Sequence, residues 1–184
     1  MGMGYHDSDV APMNVLGMSF EEYLGFIGWI DTHQDDHALA SAGDKFYYLI
    51  RIPDDATHRY FAKIEVHANT FTGVTVTRTP FYPGGSGTTA ALNNIHDGAS
   101  LRTVSTILRE GVEASGITVG SGMNWHGHFG ASGDHPQIGS VGGKGGNGIW
   151  RGLANATEYL VETEAVDDGL KANINISLTK LKLP

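Results

Sequence analysis

Histidine is the residue type with the most chemistry to offer in this chain, and it falls into two groups. Trp125-His126-Gly127-His128 is followed by Asp134-His135. Positions two apart on a strand share a face, so His126 and His128 would turn two imidazoles toward one cation, with His135 as a third candidate. The competing reading makes them ordinary histidines on a polar loop or a subunit contact. That reading is adopted, and no metal or cofactor is expected. His33 and His37 stand four apart among Asp31, Asp35 and Asp36. Four is the spacing of metal ligands along a helix. Carboxylates beside histidines more often mark a solvated acidic segment, here the frayed polar end of a short helix.

Nucleophilic chemistry finds less support. Gly84-Gly85-Ser86-Gly87 and Gly120-Ser121-Gly122 do not satisfy Gly-x-Ser-x-Gly, and neither stands between a strand and a helix. Lys144 sits in a glycine run but is followed by Gly145-Gly146, where a phosphate loop needs Ser or Thr and then a helix. The chain has no cysteine, which removes disulfides, thiolate metal sites and a cysteine nucleophile. Glu158, Glu162 and Glu164 read as the wet face of a strand. Trp29, Trp125 and Trp150, with seven Tyr and seven Phe, could stack on sugars or fill a core. No enzyme activity is expected.

The bulk numbers narrow the partners. The net charge is −8 and no run of Lys or Arg occurs, which argues against nucleic acid and against anionic membranes. No stretch approaches the roughly 20 apolar residues that cross a bilayer. The first residues lack the basic and apolar regions of a secretory signal, so synthesis in a cytoplasm is expected. With 184 residues the chain can bury one substantial core. Its 26 glycines suit short strands and tight turns.

The elements that would position any site follow from periodicity. Ser19-Phe20-Glu21-Glu22 is a capping box, and Phe20, Tyr23, Leu24 and Ile27 follow at helical spacing. A short helix near 20–30 is expected. With Trp29 it offers an apolar face to a partner, within an N-terminal arm of residues 1–40. From Asp44 the period becomes two. Phe46, Tyr48, Ile50 and Ile52 alternate with Tyr47, Leu49 and Arg51. Tyr60, Ala62, Ile64 and Val66 alternate with Phe61, Lys63, Glu65 and His67. Val74 to Thr77, Thr103 to Leu108, Ile117 to Val119, Asn147 to Leu153 and Thr157 to Val166 are further strand candidates. Asp167-Asp168-Gly169 reads as a hairpin turn into Ala172–Leu181, where Ile174, Ile176 and Leu178 alternate with polar residues. Residues 120–148 are glycine-rich, either a functional loop or a set of short irregular strands. About eight strands at roughly ten-residue spacing predict an all-β, jelly-roll-like antiparallel β-sandwich over 41–184.

Two resemblances bear on function. Gly120, five residues, then His126-x-His128 matches the opening of the cupin metal motif. Gly130, Ala131 and Ser132 stand where that motif wants glutamate, and no second motif follows. More of the chain, roughly 31–180, resembles the capsid decoration (cement) proteins of tailed bacteriophages. The resemblance is carried by Asp31-Thr32-His33-Gln34-Asp35-Asp36-His37 before Asp44-Lys45-Phe46-Tyr47-Tyr48 and by Leu49-Ile50-Arg51-Ile52-Pro53-Asp54 with His58-Arg59-Tyr60-Phe61. The Gly/Thr-rich section Gly84 to Asn94 and the ending from Asn155-Ala156-Thr157-Glu158-Tyr159-Leu160-Val161 to Leu178 complete it. The chain closes with Leu181-Lys182-Leu183-Pro184, without the aromatic-acidic ending of that class. The resemblance implies a homo-oligomer, a trimer, bound to the major capsid protein on the virion surface, with no catalytic residue to carry over. The alternatives are a glycan-binding β-sandwich and a cupin-like metalloenzyme.

Overall fold

The structure, a computed structural model, describes residues 30–78, 87–94, 108–113, 125–129, 137–140 and 150–182. Twelve strands and no helix occur among them. In chain order the first six are β1 (Asp31–Leu39), β2 (Lys45–Arg51), β3 (His58–Ala68), β4 (Thr72–Arg78), β5 (Thr88–Thr89) and β6 (Asn93–Asn94). The rest are β7 (Leu108–Glu110), β8 (Trp125–Phe129), β9 (Gln137–Ser140), β10 (Arg151–Leu153), β11 (Glu158–Ala165) and β12 (Leu170–Lys182). Two antiparallel six-stranded sheets result. One runs β10–β3–β12–β1–β6, with β9 also paired to β3. The other runs β5–β7–β2–β11–β4–β8.

The pairing is nested. β1 pairs with β12, β2 with β11, β3 with β10 and β4 with β8. Early strands thus find partners counted back from the C-terminal end, as in a long hairpin rolled into two layers. This is the jelly-roll-like sandwich that the alternation predicts. Its core lies between the sheets. Tyr48, Ile50, Val74, Val76 and Val161 come from one layer, and Ile64, Val66, Ile174, Ile176 and Leu178 from the other. Each of these side chains is nearly or fully buried, worth about 1.5–3 kcal/mol apiece in transfer free energy. Leu49, Leu160 and Val112 form a smaller apolar cluster with Tyr47 on the outer face of the second sheet. The doubly apolar character of β2 follows from its place between β7 and β11.

Three expectations change. Residues 31–39 are not the frayed end of a helix or part of an arm. They form β1, paired with β12 over nine residues from Asp31↔Leu178 to Leu39↔Leu170. The physical reason is that the polar residues of β1 find polar partners across the core, as described below. Asp167-Asp168-Gly169 is not a hairpin, because it joins β11 in one sheet to β12 in the other. Its Gly169 takes φ of +73°, and that turn chemistry serves a corner between layers as well as a hairpin. The count also rises from about eight strands to twelve among the described residues: β1 is polar on both faces, β5 and β6 are two residues long, and β8 and β9 stand in the glycine-rich segment, so none of these carries a clear apolar period. The expected helix near 20–30, with Phe20, Tyr23, Leu24, Ile27 and Trp29, lies outside the described residues, as does Ile117 to Val119.

The corners are tied by side chains. Asp55 accepts hydrogen bonds from the Thr57 amide (3.0 Å), the Thr57 hydroxyl (2.6 Å) and the Tyr60 hydroxyl (3.1 Å), and its carboxylate lies 2.8 Å from His58 Nδ1. Across that corner Ala156 holds a left-handed φ of 48° while its amide donates to the Pro53 carbonyl.

Candidate functional site

The register of β1 decides where its histidines go. Directly paired residues share a face, so His33 beside Ile176, Asp35 beside Ile174 and His37 beside Ala172 all point toward the opposite sheet. A strand that faces a core normally presents apolar residues there. β1 instead presents Asp31, His33, Asp35 and His37, each separated by one residue. Asp31 and His33 are buried, whereas Asp35 and His37 lie nearer the open edge of the layer.

The opposite layer answers with Tyr48 on β2 and Glu110 on β7. Tyr48 is fully buried, yet its hydroxyl donates to Asp35 Oδ2 at 3.0 Å. His37 Nε2 lies 2.7 Å from the same hydroxyl oxygen. Since the hydroxyl proton goes to Asp35, the His37 Nε2–H donates to Tyr48. His37 also stacks on Phe46, with ring centroids 3.7 Å apart and planes 14° from parallel. Burial lowers the His37 pKa against the opposing pull of the Asp35 carboxylate, which favours the neutral ring. Burial pushes the Tyr48 phenol well above its usual range, and Asp35 adds to the shift. The phenol therefore serves as a fixed donor.

His33 is held from the other side. Its Nδ1 lies 2.8 Å from the Ala91 carbonyl oxygen, which can only accept, so Nδ1 carries the proton. Nε2 faces the other way, toward β7. Among the described residues it has no hydrogen-bond partner, and Glu110 Oε2 stands 3.6 Å away. One ligand atom each from His33, Asp35 and Glu110 falls within a 4.8 Å span. An open cavity of about 570 Å³ adjoins the group, lined by Asp35, His37, Phe46, Tyr48, Glu110 and Val112 among others. The arrangement can hold a cation or a small polar group between the layers. It offers no activated nucleophile.

A second histidine site looks catalytic only by composition. Thr57, His58 and Asp55 lie within hydrogen-bond distance, but both contacts fall on the same ring nitrogen, Nδ1. A relay needs the two ring nitrogens to face different partners. This is a knot that fixes the corner.

The other sequence candidates are placed in part. His126 and His128 lie on β8, opposite Thr75 and Gly73 of β4, at the far edge of the second sheet from β5. His135 lies outside the described residues. The fold does not bring His126 or His128 into register with β1. Glu162 and Glu164 flank the Lys45 ammonium at 2.9 and 3.2 Å, and Glu158 pairs with Arg51 at 2.6 Å, as a solvated strand face would. Sequence reasoning did not single out Glu110 or the polar role of Tyr48. Glu110 is 77 positions from His33 in a segment with little periodicity, and nothing local marks it. The chain matches no protein-family model and no curated protein.

Proposed function

We propose that the chain is a non-catalytic structural protein of a tailed-bacteriophage virion. It is a decoration protein that binds the major capsid protein on the outer shell as a homotrimer, after synthesis in the host cytoplasm. The observation that carries the reading is the anchoring of β1. Residues 1–29 lead directly into a strand that pairs over nine residues with β12 in the interior of a sheet. A pull along that strand loads the whole ladder in shear, so its hydrogen bonds resist together. An adhesive N-terminal segment bearing Phe20, Tyr23, Leu24, Ile27 and Trp29 would pass load from a shell into the sandwich by this route. The resemblance noted above supports the same reading, since its segments supply β1, β2, β3, β11 and β12.

The test has two arms. Immunogold labelling with an antibody to the purified chain should decorate the outside of intact particles of the encoding phage. The triple variant Phe20→Ala, Leu24→Ala, Ile27→Ala should keep its β-sheet circular-dichroism spectrum and no longer co-sediment with shells. Particles with no trace of the chain by mass spectrometry would overturn the proposal, as would turnover of any substrate that depends on one of its histidines.

A further inference from the structure

We propose that His33 Nε2, Asp35 and Glu110 bind one divalent transition-metal cation of the zinc class, clasping the two sheets together through β1 and β7. The inference is independent of the virion reading and rests on three observations. The first is the state of His33. Its side chain is only 7% exposed, and its Nδ1–H is spent on the Ala91 carbonyl. Its Nε2 is buried facing a carboxylate with no hydrogen-bond partner among the described residues, and a cation between the two would satisfy both. A metal-bound imidazole characteristically donates its other N–H to a carbonyl or carboxylate, which fixes both tautomer and ring orientation. His33 already has that partner.

The second observation is the geometry. Ligand bonds of about 2.0–2.2 Å in a tetrahedral site place neighbouring donor atoms about 3.3 Å apart. His33 Nε2 and Glu110 Oε2 are 3.6 Å apart, and all three donor atoms lie within 4.8 Å. The Asp35 and Glu110 side chains are 42% and 38% exposed, so both carboxylates have room to rotate inward and close the remaining gap, at most about 1.5 Å against the tetrahedral spacing. His33, walled in by the core, supplies the fixed point. The adjoining cavity leaves a fourth position to water.

The third observation is the support around the carboxylate. The Asp35 carboxylate accepts from the Tyr48 hydroxyl and from the Asp36 amide (2.8 Å), and Tyr48 is itself bonded to His37. Such outer partners orient a ligating carboxylate without consuming all its lone pairs. His37 is thus a positioning residue and not a ligand. One imidazole with two carboxylates and no thiolate suits zinc or its neighbours in the first transition row. An all-oxygen site would suit calcium or magnesium better.

Isothermal titration of the chelator-stripped full chain with ZnCl₂ tests the proposal, with thermal unfolding as a second readout. One equivalent should bind, and Tm should rise by roughly 5–10 °C at a hundredfold excess over Kd. Glu110→Gln keeps the shape of a partly exposed side chain and should weaken zinc at least about tenfold, with unchanged circular dichroism. His33→Gln should do the same, and if that buried change unfolds the chain, Glu110→Gln alone decides. A His126→Ala, His128→Ala double variant should bind as the parent does. The proposal is overturned if the parent binds no zinc, or binds calcium but no zinc. It is also overturned if zinc binding survives Glu110→Gln undiminished, or is lost in the His126→Ala, His128→Ala variant.

Discussion

At the scale of single residues, several inward-facing polar groups in this protein are tolerated because they are met by others from across the sandwich. Tyr48 shows the principle: the ring fills the core while the hydroxyl ties Asp35 to His37. Asp55 shows it at the rim. Donors from Thr57, first of all, then from His58 and Tyr60, hold its carboxyl well below the usual carboxylate range. Burial, reinforced by the bond to Asp55, pushes the Tyr60 phenol up to about 12. A depressed carboxyl pKa stabilises the folded state above the unfolded-chain value of about 3.9, and that contribution fades as pH falls through the lower folded value. The urea midpoint of Asp55→Asn should therefore lie below that of the parent at about pH 6, and the gap should shrink as pH falls below about 4. A gap that stayed constant across that range would mean the Asp55 charge is not what secures the corner. Little of this was legible in the sequence. Pro53-Asp54-Asp55 announces a turn, but the donors to Asp55 are set by the turn's geometry. Glu110 carries no local mark at all.

At the scale of elements, legibility followed apolar alternation. β2, β3, β11 and β12 each bury alternate large side chains, and their period of two survives in the sequence. β1 escaped because its alternation is polar on both faces: Asp31, His33, Asp35 and His37 inward, Thr32, Gln34 and Asp36 outward. Hydropathy cannot separate those two rows. Their difference lies in partners, such as Tyr48 and Glu110 inward and Asn173 outward, where the Asn173 amide donates to Asp36 at 2.8 Å. The three-residue β7 depends on close packing by its neighbours. Gly87 holds φ of +69°, and a Cβ there would collide with the Glu110 carbonyl oxygen. Gly87→Ala should thus cost about 1–3 kcal/mol, from left-handed backbone strain plus the clash, and should push Glu110 away from His33. Chemical denaturation measures the first effect. Loss of zinc affinity comparable to Glu110→Gln would report the second. A neutral substitution would show that β5 does not buttress β7.

At the scale of the molecule, the nested pairing joins the beginning of the described chain to its end. Most of the contacts that close the sandwich join distant parts of the chain, and no local pattern could have fixed which strands meet. The all-β, two-layer architecture was readable from alternation and turn spacing, whereas the strand number and the pairing of β1 with β12 and of β2 with β11 were not. Both the anchoring of the N-terminal segment and the His33–Asp35–Glu110 group require residues 31–39 to be a strand laddered to β12. Hydrogen exchange of the intact chain, followed by mass spectrometry, tests that requirement directly. The amides of 31–39 that bond to β12 should be protected far above an unstructured peptide, and those of 172–178, which lie in a strand paired with both β1 and β3, at least as well. Exchange of 31–39 at the rate of an unstructured peptide, while 170–178 stays protected, would contradict the account.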